Sequence, residues 1–281
     1  MRNHAFPTRR EALAGFTIGA LVTSTDLAAA APFRFSALDH VALTVNDVEK
    51  SVRFYARLFG STVLKENAGS RHHVKAGPNY IAMNGPSPGR AAQAIDHLCI
   101  GVVNFDVDAA KRALDQMGIQ YREVTGYGLF VPDPDGTLLQ IWAENSWSRL
   151  GSAGTQVDVP PQGEPLLRPT GIDHILINVS SVEVSTAFYE KVFGSVINPA
   201  SRPRRTWFSA GGGNRLGLAL AGPNQKPGID HYCFSAPFDR GALTKALESA
   251  GAKIIPGDVP AGIDFLDIDG IHVQVIPPPA A

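Results

Sequence analysis

Four aspartate–histidine pairs recur in this chain, at 39–40, 96–97, 173–174 and 230–231, each within a short apolar run. The first and third open the long related stretches LDHVALTVNDVEKSVRFYARLFG, from Leu38, and IDHILINVSSVEVSTAFYEKVFG, from Ile172; IDHLCI and IDHYCF carry the other two. Imidazoles brought together in pairs can ligate a transition metal or move protons. Alternate residues of a strand share a face. His40 is therefore expected opposite Val41, Leu43 and Val45, and His97 on the face of Cys99, opposite Leu98 and Ile100. The same alternation sends each neighbouring aspartate away from its histidine, so Asp39, Asp96, Asp173 and Asp230 are expected to bond backbone at the strand start.

The elements that must position these histidines are themselves repeated. A step of 134 residues takes His40 to His174, His97 to His231, Gln140 to Gln274 and the turn DPDG at 133–136 to DIDG at 267–270. Eleven of the first 26 aligned positions are identical, so a whole half has been duplicated. Each half is in turn two similar units. In the first, a period-2 strand is followed by a helix whose stripe is Val48, Val52, Tyr55 and Phe59 and whose end is Gly60. Asn46 with Glu49, and Ser180 with Glu183 in the copy, read as capping boxes. The second unit has its own strand and a helix over 107–117 or 241–250. Short strands follow, with the Asp-x-Asp-Gly turn before the last, TLLQIWA or IHVQVIP. The unit is thus strand, helix and roughly three strands, a βαβββ module present four times. The Gly-, Pro- and Ser-rich tract 148–168 reads as a linker.

This pattern resembles the vicinal oxygen chelate superfamily, which contains glyoxalases, bleomycin-resistance proteins and extradiol dioxygenases. The strand-borne histidine, the FYARLFG or FYEKVFG helix and the DPDG or DIDG hairpin carry the resemblance over 36–147 and 169–277. It implies an α+β fold in which four βαβββ modules pair into two curved-sheet barrels with helices outside, one per domain. It also implies a metal site drawn from the first strand of each unit and the last strand of the second. The matching positions are His40, His97 and Gln140, and in the other half His174, His231 and Gln274.

Two imidazoles suit iron, manganese or zinc. The third position departs from the usual pair of histidines with one carboxylate, because a carboxamide stands there in both halves. A neutral amide leaves a divalent ion its full charge, so the ion is held less tightly and is a stronger Lewis acid. The glyoxalase carboxylate at the end of the first unit is also missing; NYIAMNG and RLGLALAG stand there, with Tyr80 and Met83 in the first. Two functions of different class follow. One is a divalent-metal-dependent enzyme, a lyase, isomerase or dioxygenase acting on a small molecule with neighbouring oxygens. The other is a metal-free protein that binds or sequesters a small molecule. One working half beside one scaffold half is compatible with the first.

His272, two residues before Gln274, is a general-base candidate. His72, His73, Arg202, Arg204 and Arg205 are expected in loops, within reach of an anionic substrate. Cys99 and Cys233 are expected as small buried thiols, with soft-metal ligation as the alternative, and no disulfide framework is implied. A net charge of −1 gives no electrostatic reason for a nucleic-acid or anionic-membrane partner. Thr8-Arg9-Arg10, the apolar run from Ala12 to Leu21 and the alanines at 28–31 have the three parts of a twin-arginine export signal. Residues 1–31 are therefore read as removed, and the mature chain as periplasmic or secreted with no membrane anchor. No residue pattern speaks to oligomeric state.

Overall fold

The computed structural model describes residues 32–279 apart from 61, 68, 89–92, 161–162 and 198–204. Residues 1–31, read from sequence as an export signal, and Arg202 and Arg204 lie outside the described residues. The first half runs β1 (Phe35–Thr44), α1 (Val48–Phe59), β2 (Val63–Glu66), β3 (His72–Ala76), β4 (Asn79–Asn84), β5 (Ala94–Val102), α2 (Val107–Met117), β6 (Arg122–Val124), β7 (Gly128–Pro132) and β8 (Leu138–Ala143). Then come α3 (Ser146–Ala153) and β9 (Gly154–Gln156). The second half runs β10 (Gly171–Val179), α4 (Val182–Phe193), β11 (Arg205–Ser209), β12 (Arg215–Leu220), β13 (Gly228–Ser235), α5 (Arg240–Ser249), β14 (Lys253–Ile255), β15 (Ile263–Leu266) and β16 (His272–Ile276).

Each half builds one mixed sheet. The orders are β6-β7-β8-β5-β1-β4-β3-β2-β9 and β11-β12-β10-β13-β16-β15-β14. In both, the histidine-bearing strands are central and antiparallel neighbours, β1 with β5 and β10 with β13. Side chains on the two faces of β1 enter different cores. Val41 and Leu43 pack with Val52, Tyr55 and Leu58 of α1, whereas Ala42 faces Tyr80, Ala82, Cys99 and Trp142. The period-2 and helical stripes read from sequence are those the fold buries.

The helix starts differ by one residue from the sequence reading. Asp47, not Asn46, caps α1 by accepting from the Lys50 amide, and Ser181, not Ser180, caps α4 by accepting from Val184. The displaced residues have another task. The amides of Asn46 and Ser180 donate to Asp269 and Asp135, each in the Asp-x-Asp-Gly turn of the opposite half. The first aspartate of each turn reaches further in. Tyr189 of α4 donates to Asp133, and Tyr55 of α1 donates to Asp267 while its hydroxyl also meets that of Tyr232 at 2.7 Å. Each turn therefore clasps the helix of the other half, and one apolar core runs through both halves.

A second symmetric pair closes the junction. Asn79 donates to the Leu38 carbonyl and accepts from the Ile172 amide; Asn214 donates to the Ile172 carbonyl and accepts from the Leu38 amide. The turn before Asn79 allows no side chain at Gly77. Its φ is +62°, and a Cβ there would stand 2.1 Å from the Pro169 carbonyl oxygen. Gly77→Ala is expected to cost about 3 kcal/mol in urea unfolding, combining a left-handed backbone with a clash against backbone of the other half. A cost under about 1 kcal/mol would show that this junction yields freely.

The tract 148–168, read as a linker, is partly structured, since α3 enters it from Ser146 and β9 lies within it. β9 extends the first sheet by pairing with β2, and α3 lies against the first half's concave face through Trp147 and Leu150. Among the described residues, no helix is long and apolar enough to cross a membrane.

Candidate metal centre

The aspartates do not point away from their histidines. His40, His97, His174 and His231 each place Nδ1 against the carboxylate of the preceding residue, at 2.8, 2.7, 2.6 and 2.7 Å. The expectation from strand alternation fails because the ladder is bulged at all four sites. Leu38 pairs with Ile100 and His40 with Cys99, which leaves Asp39 as an extra residue; Ala42 pairs with His97 and Leu43 with Ile95, which leaves Asp96 extra. The second half repeats this at Asp173 and Asp230. A bulge inserts one residue and re-aims its side chain, so aspartate and histidine share the concave face. A carboxylate accepts only, so each Nδ1 carries the proton and each Nε2 presents its lone pair to the cup.

In the second half those lone pairs converge. Nε2 of His174 and Nε2 of His231 stand 3.3 Å apart, with both side chains buried. Two lone pairs at that distance repel unless a cation or proton lies between them. The spacing is also that of two nitrogens each about 2.0–2.1 Å from one tetrahedral ion. Burial holds the His174 imidazole below its usual pKa, which Asp173 only partly offsets, so it is a neutral ligand near pH 7.

Gln274 lies one strand over, its partner on β13 being Cys233, which itself pairs with His174. The Gln274 side-chain nitrogen donates to Asp264 on β15, at 3.0 and 3.1 Å to the two oxygens. Its carbonyl oxygen is buried and meets no donor. The donor set of two imidazole nitrogens and one unsatisfied amide oxygen therefore fits a divalent ion.

His272 sits beside this set, its ring 4.6 Å from that of His231. Burial would depress its pKa, but Asp230 and Asp264 outweigh burial and push it up to about 9. At neutral pH it is a cation, and the general-base role read from sequence would require it first to lose that proton. Asp230 and His272 also line a cleft of about 490 Å³ at the junction, with Ala94 and Ile95 from the first half.

The first half has the same three residue types in another setting. The His40 ring stacks on Tyr80 at 4.3 Å, His97 meets the Phe130 ring at 5.0 Å, and the Gln140 side chain donates to the Tyr127 carbonyl at 2.7 Å. Burial pushes His40 down to about 4, against the pull of Asp39. Tyr80, Trp142, Trp147 and Leu150 pack together on this face, and the Tyr80 hydroxyl bonds Ser146 at the start of α3. Register makes the contrast concrete. Arg215 holds the place of Tyr80 beside the first histidine, and Asp264 the place of Phe130 beside the glutamine.

Three groupings of potential ligands lie within 4.8 Å among the described residues: Asp39, His40 and Cys99; Asp173, His174 and Cys233; Asp230, His231 and His272. In each, the aspartate and the histidine beside it already bond one another. Burial pushes both thiols well above their usual pKa, so Cys99 and Cys233 stay protonated and poor as ligands. Both cysteines are free. His72 and His73 lie on β3 rather than in a loop, and buried His73 bonds Glu66 at 2.9 Å. Arg205, on β11, pairs with Asp258 at 2.7 Å. Sequence reasoning passed over Asp264; the signal for it was the 134-residue step, which sets it against Phe130 ten residues before each glutamine.

The sequence pattern of the Glyoxalase/Bleomycin resistance protein/Dioxygenase superfamily matches residues 37–141 and again 171–275. A catechol-2,3-dioxygenase of Bacillus subtilis is 26% identical over 71% of this chain and 82% of its own length. A lactoylglutathione lyase of Schizosaccharomyces pombe is 26% identical over 59% of this chain; the match spans 62% of the lyase. Among solved structures, the 2,3-dioxygenase LapB from Pseudomonas sp. KL28 superposes with a TM-score of 0.62 at 14% identity, over 86% of this chain and 93% of that one. That likeness is one of fold.

Proposed function

This chain belongs to the Glyoxalase/Bleomycin resistance protein/Dioxygenase superfamily, with one match in each half, and from that premise we propose that it is a divalent-metal-dependent enzyme whose working half is the second. The substrate class is a small molecule bearing two neighbouring oxygens. The metal reading is carried by the approach of the His174 and His231 Nε2 atoms to 3.3 Å. The choice of the second half rests on the buried Gln274 oxygen that meets no donor, since the His40 and His97 rings pair at 5.6 Å much as those of His174 and His231 do at 5.4 Å. His174, His231 and Gln274 would hold the ion, and Asp173 and Asp230 hold the imidazoles in the ligating tautomer. Once bound, the ion supplies Lewis acidity toward the paired substrate oxygens. Arg215, bonded to Asp173 at 2.5 Å, brings a guanidinium to the rim, and protonated His272 brings a second positive group. Both favour a substrate that is anionic or becomes so on binding. The first half serves as scaffold, its cup filled by its own aromatic residues and α3.

The catechol-2,3-dioxygenase relative makes aromatic vicinal diols the first compounds to test, and the lactoylglutathione lyase relative makes α-hydroxycarbonyl thioesters the second. The protein should be purified without chelators or a histidine tag, loaded anaerobically with Fe(II), Mn(II) or Zn(II), dialysed and analysed for metal. About one ion per chain, with turnover of either class, is the expected result. No retained metal would overturn the enzyme reading in favour of metal-free small-molecule binding, the alternative in which neutral amides stand where a carboxylate would hold an ion more tightly. The same proposal places the mature chain in the periplasm or outside the cell, on the strength of the twin-arginine pattern at 8–31. Fractionation of cells expressing the full chain checks that; cytoplasmic retention of an uncleaved chain would refute it.

A further inference from the structure

Resting on that reading, we propose that Asp264 supplies, through Gln274, the negative charge that the ligand set itself lacks. Asp264 and Gln274 face one another across the β15–β16 ladder, and the amide nitrogen donates to both carboxylate oxygens. A carboxylate accepts but never donates, so it dictates which end of the amide it meets. The amide oxygen is thereby turned the other way. It is buried on a residue only 1% exposed, with no donor to meet it. A neutral carbonyl oxygen left so is a standing cost, which a cation would relieve. The hydrogen bonds to Asp264 also polarise the amide, drawing electron density onto its oxygen and making it a better ligand. The pair acts as one anionic ligand whose charge sits one residue behind the contact atom.

Two further features show that the pair is built rather than incidental. Gly257 leaves room for the carboxylate: a Cβ there would stand 1.9 Å from the Asp264 Oδ2 atom. His272 donates from Nε2 to Asp264 at 2.8 Å and places Nδ1 3.6 Å from Asp230, which holds His231. One polar chain thus runs from His231 through Asp230, His272 and Asp264 to Gln274 and ties two of the three ligands together. The first half is the internal comparison. Phe130 stands opposite Gln140 there, and the glutamine turns to a backbone carbonyl instead.

Asp264 is on this account a positioning residue, and metal affinity reads its role without reference to turnover. Zn(II) and Mn(II) should be titrated calorimetrically into the wild-type chain, Asp264→Asn, Gly257→Ala and the double variant Asp264→Asn/Gln274→Glu. Asp264→Asn is expected to weaken binding about 10–100-fold, the usual effect of losing a group that orients a ligand. Gly257→Ala, which leaves the carboxylate in place but displaces it, is expected to weaken binding about tenfold. The double variant moves the charge onto the ligand itself and keeps an amide donor behind it, so affinity should return to within about threefold of wild type. Asp264→Asn binding within about twofold of wild type would overturn the inference, as would a loss that the double variant does not recover. A wild-type chain that binds neither ion defeats the metal reading as well, which separates the two failures.

Discussion

Replacing His231 with alanine is expected to remove metal from the protein altogether, while the equivalent His97→Ala leaves metal content unchanged. His231 gives one of two nitrogens standing 3.3 Å apart, and its Nδ1 is anchored on Asp230, which is also bonded by Asn178. Loss of an anchoring partner alone costs about 10–100-fold in affinity, so loss of the ligand should exceed about 100-fold. His97 repeats the same anchoring on Asp96. Its surroundings differ, since Phe130 meets its ring, Tyr80 covers that of His40, and Gln140 has spent its amide on Tyr127. Metal analysis after dialysis, with circular dichroism to confirm the fold, decides the point. Equal loss in both variants would mean two working halves. Loss in His97→Ala alone would reverse the assignment.

The second large effect concerns the junction. Asp267→Ala is expected to cost about 3–5 kcal/mol of stability in urea unfolding, with Tyr55→Phe costing about 1–2 kcal/mol. One oxygen of Asp267 accepts from the amides of Asp269 and Ile271, at 2.9 and 2.8 Å, and the other accepts from the Tyr55 hydroxyl at 2.5 Å. Alanine leaves two buried amides without an acceptor, each worth about 1–3 kcal/mol when orphaned, and leaves the Tyr55 hydroxyl only that of Tyr232 as partner. The phenol loss is smaller because Tyr55→Phe leaves the turn's internal bonds intact. Burial pushes the Asp267 carboxyl above its usual pKa, against the hydrogen bonds it accepts. Its protonated form is therefore favoured by the fold, a contribution fully present below about pH 3.8. That contribution is lost as pH rises through the raised value. A cost for Asp267→Ala below about 1 kcal/mol would show that the turn does not clasp the other half.

Much of this molecule could be read from the chain without its fold. The step of 134 residues, the strand with alternating Val41, Leu43 and Val45, the stripe ending in Phe59 and the turn at Asp133 to Gly136 are local patterns. They are legible because period, capping chemistry and turn chemistry act over a few residues. The pairing of the modules and the ligand positions came from the family resemblance those patterns carry, and the fixed spacing repeats the histidines and glutamines in both halves. Four matters needed the tertiary structure. The aspartates turn onto their histidines only because the facing strand is one residue short at each site, and a bulge belongs to two strands at once. The Asp-x-Asp-Gly turns have a sufficient local reason to exist, so nothing in them announces that their carboxylates grip tyrosines 212 and 56 residues away. The tract 148–168 has the composition of a linker, yet its Leu150 joins Trp147 in closing the first cup. Finally, the two halves carry the same His, His and Gln, and no count of those residues separates them. Their difference lies in what faces them across the sheet, Asp264 against Phe130 and Arg215 against Tyr80. The residues that strand register sets opposite the shared ligands, not the ligands themselves, decide whether an imidazole pair meets a carboxylate-backed amide or an aromatic core.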